Sequence, residues 1–296
     1  MGKLILIDGN AILHRAFHAL PPLTTKRGEP INAVYGLISM LLRVIQDLKP
    51  THIAVVFDEK EPTFRHKEFA QYQAQRPAMA DELSGQFEKA KKVLEAFGIP
   101  IYSKVGFEAD DVIGTLAGDA RQDVVIVTGD KDILQLVGGR VKVYLPIVGL
   151  SSAKLMGEEE VKEKLGIAPK QVADYKALVG DPSDNYPGVA GIGPKTAISL
   201  LEKYKNLDGI YAHLEEISPL VREKLTKGKD DAKLSLRLAT IVKDVPVKFD
   251  IEACGRWDID SQAVLNLFSK FGFKTLTERV KKVGKNLDDE KQMPLL

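Results

Sequence analysis

The amino-acid sequence predicts an α/β fold in which a mostly parallel central sheet is flanked by helices. Three apolar runs rich in β-branched residues, at 4–7, 53–57 and 124–127, have the length of buried strands. Helical patterns lie between these runs. Alternation of strand and helix is typical of a parallel sheet with helices on both faces, joined by right-handed connections.

The helical pattern is clearest at 33–48, where apolar residues recur with a period of about 3.6. These residues are Val34, Leu37, Ile38, Leu41, Leu42 and Ile45. A similar pattern occurs at 112–120. Each of these helices therefore has one apolar face that can cover the sheet.

The segment at 61–92 interrupts this alternation. It is polar and includes Phe64, Arg65, Tyr72 and Arg76 among many other Arg, Lys and Gln residues. An insertion of this size in a compact domain is often a lid or a binding element. Aromatic rings among basic residues are typical of stacking on unpaired bases. A solvated helix face is the alternative interpretation.

Beyond about residue 172 the pattern is helical. We therefore predict an α/β core at 1–172, which contains the insertion, and a helical region at 173–284. A polar tail, expected to fray, follows at 285–296.

Composition narrows the class of protein. Hydrophobic residues make up 44% of the 296 residues, yet no apolar run approaches the ~18–20 residues that cross a bilayer. The N-terminus lacks the features of a signal peptide, so we expect a cytoplasmic protein with no membrane partner. The single cysteine, Cys254, cannot form an intramolecular disulfide and is expected to be a small buried hydrophobe.

Acidic residues follow each predicted strand. Asp8 and Asp58 come directly after the first two strands, and Asp130 and Asp132 lie just beyond the third. The carboxyl ends of parallel strands form the ligand crevice of an open α/β sheet. Further acids occur as close groups, with Glu108, Asp110 and Asp111 at the start of a helix and Asp181 and Asp184 three residues apart.

This many carboxylates in one place would repel one another strongly without a cation. At 4 Å and an effective dielectric constant near 20, each pair of like charges costs roughly 4 kcal/mol. Oxygen ligands favour Mg²⁺ or Mn²⁺, whereas zinc prefers His or Cys. Two such ions about 3.5–4 Å apart can activate water and stabilise the leaving oxygen in phosphodiester cleavage. Isolated surface acids and helix caps are the alternative.

A glycine-rich passage at 187–196 precedes an apolar helix. It resembles a nucleotide-binding P-loop in spacing, but Pro194 separates Gly193 from Lys195 and Thr196, and no strand is predicted before it. A helix-hairpin-helix turn at 181–204 is the better interpretation, because Gly191 and Gly193 let the backbone approach a DNA phosphate and the following helix N-terminus favours an anion. Such contacts hold a duplex without reading its sequence. A plain interhelical turn is the alternative.

The order of these motifs resembles the flap endonuclease, or structure-specific 5′-nuclease, family, and most closely the 5′-nuclease domain of bacterial DNA polymerase I. The resemblance covers most of the chain, from about residue 4 to 273. The matching pieces are Ile7-Asp8-Gly9, His18-Ala19-Leu20, Leu23-Thr24-Thr25, Ala33-Val34-Tyr35-Gly36, Val56-Phe57-Asp58, Phe64-Arg65-His66, Glu108-Ala109-Asp110-Asp111, Thr128-Gly129-Asp130-Lys131-Asp132 and Gly180-Asp181-Pro182-Ser183-Asp184-Asn185, followed by the glycine passage.

The resemblance implies a two-metal DNA nuclease that acts on 5′ flaps, nicks and 5′ ends during replication and repair. One metal site would draw on Asp8, Asp58, Glu108, Asp110 and Asp111. A second would draw on Asp130, Asp132, Asp181 and Asp184, with Asp111 nearby. The insertion would be a helical arch for a single-stranded 5′ end, with Arg76 near the scissile phosphate, and a potassium ion would assist the helix-hairpin-helix turn. The DNA-contacting residues would be Arg15, Phe64, Arg65, Tyr72, Arg76, Gly191, Gly193, Lys195 and Thr196.

The sequence departs from the family at Gln73, where a lysine is usual. We expect Arg76 or a nearby lysine to supply the missing positive charge. Net charge agrees with a phosphate-binding surface, because removing the nine candidate acids from the 41 acidic residues leaves 32 against 42 basic ones.

Other functions stay open at this point. A PIN-type ribonuclease also carries an acidic cluster on an α/β sheet, and a flap-binding protein with a weak or inactive metal site would keep the fold. Two arrangements also stay open, a stand-alone nuclease and one domain of a longer protein with a polymerase domain as its covalent or functional partner. The chain is expected to be a monomer.

Overall fold

The computed structural model describes residues 2–148 and 152–292. Its central sheet is built from β1 (Lys3–Asp8), β2 (His52–Val56), β3 (Ile101–Tyr102), β4 (Asp123–Val127), β5 (Val141–Val148) and β6 (Ser152–Met156). The six strands lie in the order β3-β2-β1-β4-β5-β6. Neighbouring strands are parallel except for β6, which pairs antiparallel with β5 at the edge. The mostly parallel sheet predicted from the sequence is confirmed.

Six helices belong to this first part of the chain. They are α1 (Gly9–Ala19), α2 (Asn32–Leu48), α3 (Phe64–Glu68), α4 (Asp81–Ala96), α5 (Ala109–Asp119) and α6 (Glu158–Leu165). The helices predicted at 33–48 and 112–120 correspond to α2 and α5. Strands β3, β5 and β6 were not predicted, since β3 has two residues and β6 contains polar, exposed positions.

The second part is helical, as predicted from about residue 172. Its helices are α7 (Val172–Val179), α8 (Pro194–Tyr204), α9 (Leu207–Ala212), α10 (Pro219–Lys227), α11 (Lys229–Ala239), α12 (Ile251–Cys254), α13 (Gln262–Phe271) and α14 (Lys274–Gln292). Helix α14 takes in the first eight residues of the predicted polar tail, and 293–296 lie outside the described residues.

The sheet is buried on both faces because side chains alternate along each strand. In β1, Leu4 and Leu6 face the layer that contains α5, whereas Ile5 and Ile7 face the layer that contains α2. All four side chains are buried. This burial explains why the central strands are continuous apolar runs.

Helices α13 and α14 pack in the layer that contains α2. Phe268 of α13 and Val280 of α14 share a core with residues of α2 and α4. The domain division at residue 172 stays a prediction, but the helical region predicted at 173–284 contains a segment that completes the α/β core.

The predicted insertion at 61–92 consists of two unlike halves. From Asp81 it forms α4, whose apolar face, including Leu83 and Val93, packs in the core beside α2. The fully buried Gln86 accepts hydrogen bonds from the amides of Ala33 (2.7 Å) and Val34 (3.3 Å), and so caps the start of α2. The half that covers the strand ends is therefore 61–80.

Cys254 is fully buried, and burial raises the pKa of its thiol to about 11. It lies against the Tyr102 hydroxyl, in agreement with its predicted role as a small buried side chain. Among the helices that the structure describes, none combines the length and apolarity required to cross a membrane.

Candidate metal centre and nucleic-acid interface

Asp8 ends β1 and caps α1. One carboxylate oxygen accepts a hydrogen bond from the Ala11 amide (2.9 Å), as expected of an aspartate that precedes a helix. The other oxygen accepts one from the Thr128 hydroxyl (2.7 Å). That hydroxyl also accepts from the Asp130 amide (3.0 Å), so it connects the ends of β1 and β4.

Asp58 follows β2 and faces the start of α5. Its carboxylate accepts a hydrogen bond from the Ala109 amide at 2.7 Å, and its own amide donates to the Asn10 side chain at 3.0 Å. Glu108 is the residue before α5, and Asp110 lies in its first turn. The strand ends and the α5 N-terminus therefore deliver carboxylates to one place, as the sequence predicted.

These acids line a cavity of about 750 Å³. Seven of the nine candidate acids line it: Asp8, Asp58, Glu108, Asp110, Asp130, Asp132 and Asp184. Side chains from α1 and from the 61–80 segment complete the wall, among them His14, His66 and Arg76. The cavity thus has a negative floor and a rim that carries basic side chains.

Burial raises the pKa of several of these carboxyls. The pKa of Asp8 rises to about 7, mainly through burial and further through Asp58 and Asp130. Burial and neighbouring acids likewise raise the pKa of Glu108 and that of Asp132 to about 7. The pKa of Asp110 is raised well above its usual value by burial, then by Asp130 and Asp8. Buried carboxyls with raised pKa values fit a site for cations, and an all-oxygen donor set fits Mg²⁺ or Mn²⁺.

Asp111 has a different role, because both of its oxygens are engaged. The buried Arg65 guanidinium binds them with two hydrogen bonds of 2.7 and 2.9 Å. The amides of Glu108 (3.1 Å) and Val242 (2.9 Å) donate to the same carboxylate. Asp111 does not line the cavity. It therefore anchors the α5 N-terminus, and the metal-ligand role expected of it stays a prediction.

Arg65 uses its other donors on the helical region. It donates to the carbonyls of Leu238 (2.8 Å) and Thr240 (3.0 Å). The side chain is buried, so the DNA contact expected of Arg65 would require it to leave these partners. Tyr72 is also buried, and its hydroxyl donates to Glu108 at 3.2 Å. Its stacking on a base would require the same release.

The three acids Asp132, Asp181 and Asp184 form a second compact group. One oxygen from each lies within 4.8 Å of the others. The Lys176 ammonium of α7 forms ion pairs with both Asp132 and Asp181. Burial alone would raise the pKa of Asp181, but hydrogen bonds from Lys176 and Ser183 and the positive charge of Lys176 outweigh burial and lower it. Three of the four acids predicted for the second site thus lie together, and Lys176 pairs with two of them.

Asp184 is the point where the insertion meets this group. The Arg76 guanidinium forms an ion pair with it at 2.6 Å, and the Gln73 side-chain amide donates to it at 3.2 Å. The Gln73 backbone amide donates to the Asp184 carbonyl at 2.9 Å. About half of the Arg76 side chain is exposed, which leaves it within reach of a ligand in the cavity.

The glycine passage forms a tight turn between α7 and α8. Gly188 has φ +63°, and a Cβ atom there would lie 2.2 Å from the Gly180 amide nitrogen, so only glycine fits. Gly193 caps α8, and Pro194 occupies its first turn. Lys195 is exposed and Thr196 is half-buried. The Lys224 ammonium donates to the Gly191 carbonyl at 3.0 Å and ties α10 to the turn.

Two further expected DNA contacts lie at the periphery. Arg15 donates to the Ile147 carbonyl at 3.1 Å. Phe64 is half-buried, with the Arg65 guanidinium 4.5 Å above its ring. Contact of these residues with DNA stays a prediction.

Thr128, Lys176 and Tyr186 were not among the predicted site residues. Thr128 belongs to the motif Thr128-Gly129-Asp130-Lys131-Asp132, and its place between a buried strand and two acids was the available signal. Lys176 and Tyr186 lie on either side of Asp181, but a lysine in a predicted helix gives no local sign of burial.

A parallel α/β domain with acidic strand ends, joined to a helix-hairpin-helix turn, defines an acidic-cluster nuclease fold. The chain belongs to the 5′-3′ exonuclease family. Residues 3–166 match the family's N-terminal resolvase-like domain, and residues 167–262 match its C-terminal SAM fold. The resemblance drawn from the motifs is confirmed.

Curated relatives are DNA polymerase I chains. That of Caldicellulosiruptor bescii is 44% identical over 94% of this chain, and that of Bacillus subtilis is 40% identical over 94%. The chain spans about a third of the length of these relatives, 33% and 32% respectively.

Solved flap endonucleases have the same fold. The bacteriophage T5 D15 flap endonuclease, in a complex with DNA and metal ions, has a TM-score of 0.66 and 17% identity, over 95% of this chain and 97% of that one. Flap endonuclease-1 from Methanococcus jannaschii has a TM-score of 0.64 and 18% identity, over 98% and 94% of the two chains.

Proposed function

We propose that the chain hydrolyses phosphodiester bonds near 5′ ends and flap junctions of DNA, with divalent metal ions held by the acidic cluster. The observation that carries this proposal is the cavity, in which seven carboxylates from separate elements face one space beneath Arg76. Binding DNA alone would not require buried acids, since DNA is itself an anion. Membership of the 5′-3′ exonuclease family and the DNA and metal ions of the T5 complex support the same function.

Two groups of residues would hold the ions. The first group lies at the ends of β1 and β2 and the start of α5, and it comprises Asp8, Asp58, Glu108 and Asp110. The other group comprises Asp130, Asp132, Asp181 and Asp184. Asp130 lies between the two groups, because it raises the pKa of Asp8 and Asp110 in the first and of Asp132 in the second. Divalent ions bound there supply an activated water and stabilisation of the leaving oxygen, and we propose Mg²⁺ or Mn²⁺ as the ion.

The remaining residues would bind and orient the substrate. Arg76 is placed to hold the phosphate beside the cleaved bond, a task suited to a fork of donors. The 61–80 segment covers the cavity and would limit entry to a single strand. Lys195 and the α8 N-terminus would hold the phosphate backbone of the duplex, with a potassium ion as a further proposed ligand of the turn.

The wider role is proposed from the relatives. Because they are DNA polymerase I chains, we propose that this nuclease removes primers and flaps in replication and repair, beside a polymerase domain. A monomeric state and a cytoplasmic location stay predictions. Preference for RNA over a DNA flap would favour the PIN-type ribonuclease alternative.

The test is cleavage of a 5′-labelled flap duplex with Mg²⁺ and then with excess EDTA. We expect cutting near the flap junction that requires the metal. Asp130→Ala should nearly abolish cutting and keep flap binding, whereas the exposed Asp119→Ala should behave as wild type. Equal cutting by Asp130→Ala and wild type would contradict the assigned role. Flap binding without cutting by the wild-type chain would favour a binding protein.

A further inference from the structure

Lys176 occupies the position of a counter-ion within the second acidic group. Its ammonium forms ion pairs with Asp132 and Asp181 at once, and the side chain is 16% exposed. The proposed function assigns these same carboxylates to a divalent ion. A lysine ammonium and a divalent ion that share the same two carboxylates repel each other, so the two cations compete for this place.

The Tyr186 hydroxyl gives a second, independent sign of a missing ligand. The residue is 3% exposed, and within the described ranges its hydroxyl has no hydrogen-bond partner. The charged groups that act on it are Lys176, Asp132, Asp181 and Asp184. Buried hydroxyls are nearly always hydrogen-bonded, so one that faces this group indicates a partner that arrives with a ligand or its water.

We propose that Lys176 is an exchangeable counter-ion, which holds Asp132 and Asp181 together in the metal-free protein and moves away when a divalent ion binds the Asp132–Asp181–Asp184 group. The inference rests on the proposed function, since it takes the metal ions from there. The exchange explains how the site stays assembled without metal: one positive charge between two carboxylates offsets their repulsion. It also makes this group the weaker of the two metal sites, because a bound ion has to replace an ion pair that already exists.

Titration of the metal-free full chain with Mn²⁺ measures the competition. Calorimetry should resolve a tighter and a weaker site in the wild type. Lys176→Met should tighten the weaker site at least about tenfold, since each tenfold corresponds to about 1.4 kcal/mol. The exposed Lys170→Met, which removes a lysine near the start of the same helix, should leave both affinities unchanged. Equal affinities in Lys176→Met and wild type would overturn the exchange.

Labelling of lysine amines in the wild-type chain tests the movement without any substitution. Reductive methylation followed by mass spectrometry should modify Lys176 slowly in EDTA and several-fold faster with saturating Mn²⁺. Lys170 serves as the internal control and should react equally in both conditions. A Lys176 rate that is unchanged or lower with Mn²⁺ would overturn the proposal, even where Lys176→Met does not fold without metal.

The two proposals fail in different ways. Neither the titration nor the labelling uses DNA, so both decide the exchange whether or not the chain cuts a flap. A chain that cuts flaps but keeps Lys176 protected with Mn²⁺ would retain the proposed nuclease function and lose the exchange. A chain that exposes Lys176 with Mn²⁺ but cuts no flap would do the reverse.

Discussion

Replacement of Asp111 tests whether this acid is an anchor or a metal ligand. Asp111 and Arg65 are both buried, and their two hydrogen bonds of 2.7 and 2.9 Å form one fork. Removing one partner of such a buried pair costs about 3–5 kcal/mol, and after loss of Asp111 the Arg65 guanidinium keeps, among the residues that the structure describes, only Glu108, at 3.4 Å, as an ion-pair partner. At about 2–4 °C per kcal/mol, Asp111→Asn should lower the melting temperature by roughly 6–20 °C.

The double variant Arg65→Met/Asp111→Leu distinguishes the cost of an unpaired buried charge from the cost of the other contacts that the two side chains make. Removal of both charges should recover much of the loss, because the remaining buried charge is gone. Recovery should stay incomplete, since the amides of Glu108 and Val242 lose their acceptor.

The measurement is thermal unfolding in EDTA and in Mg²⁺, beside the Mg²⁺ dependence of flap cleavage at a temperature where the variants are folded. The exposed pair Lys227–Glu223 provides the control, and Glu223→Gln should change the melting temperature by less than about 2 °C. If Asp111→Asn unfolds within about 2 °C of the wild type yet needs far more Mg²⁺ for cleavage, the anchor interpretation is wrong and Asp111 is a ligand.

Three further predictions concern pH, the glycine turn and Gln73. The pKa values of Asp8, Glu108 and Asp132 rise from 3.8, 4.5 and 3.8 to about 7 on folding, so the metal-free folded chain binds extra protons between about pH 4 and 7. Its melting temperature in EDTA should therefore fall as pH rises from 5 to 8, and Mg²⁺ should reverse the fall; a rise over this range would contradict the cause. Gly188→Ala should lower both the melting temperature and duplex affinity because its Cβ meets backbone, whereas Gly118→Ala has open space and should not; equal stability of the two would refute the strained turn. Gln73→Lys should change the cleavage rate only modestly, since Arg76 already pairs with Asp184; a gain of several hundredfold would show that the missing lysine limits the reaction.

The parts of the fold that could be predicted were those encoded by neighbouring residues. Strands β1, β2 and β4 are continuous apolar runs because both faces of a parallel sheet are buried, and the acids that follow them lie together because parallel strands end at one edge. The acidic motifs therefore indicate the edge of the sheet at which the cavity lies.

What could not be predicted depends on partners far apart in sequence. Gln86 belongs to the segment at 61–92, which is polar in sequence, but it is buried because it satisfies the α2 amides some 50 residues away. Arg65 looked like a DNA contact, and only the folded chain shows that it meets Asp111 and the end of α11. In the sequence Lys176 is only a lysine in a helix, and its ion pairs with Asp132 and Asp181 form when α7 packs beside the strand ends. In each case the chemistry of the residue was visible, but the identity of its partner was not.

The packing of α13 and α14 against α2 and α4 has a consequence for how the chain folds. Phe268, Leu276 and Val280 cover apolar surface of elements that lie more than 150 residues earlier in the sequence. During synthesis, the layer formed by α2 and α4 emerges long before the helices that cover it, so its apolar surface stays exposed until those helices are made. Contacts of such high sequence separation slow folding and make early intermediates prone to association. A fragment of this chain that ends before residue 259 should therefore aggregate, although it keeps every carboxylate of the candidate metal centre.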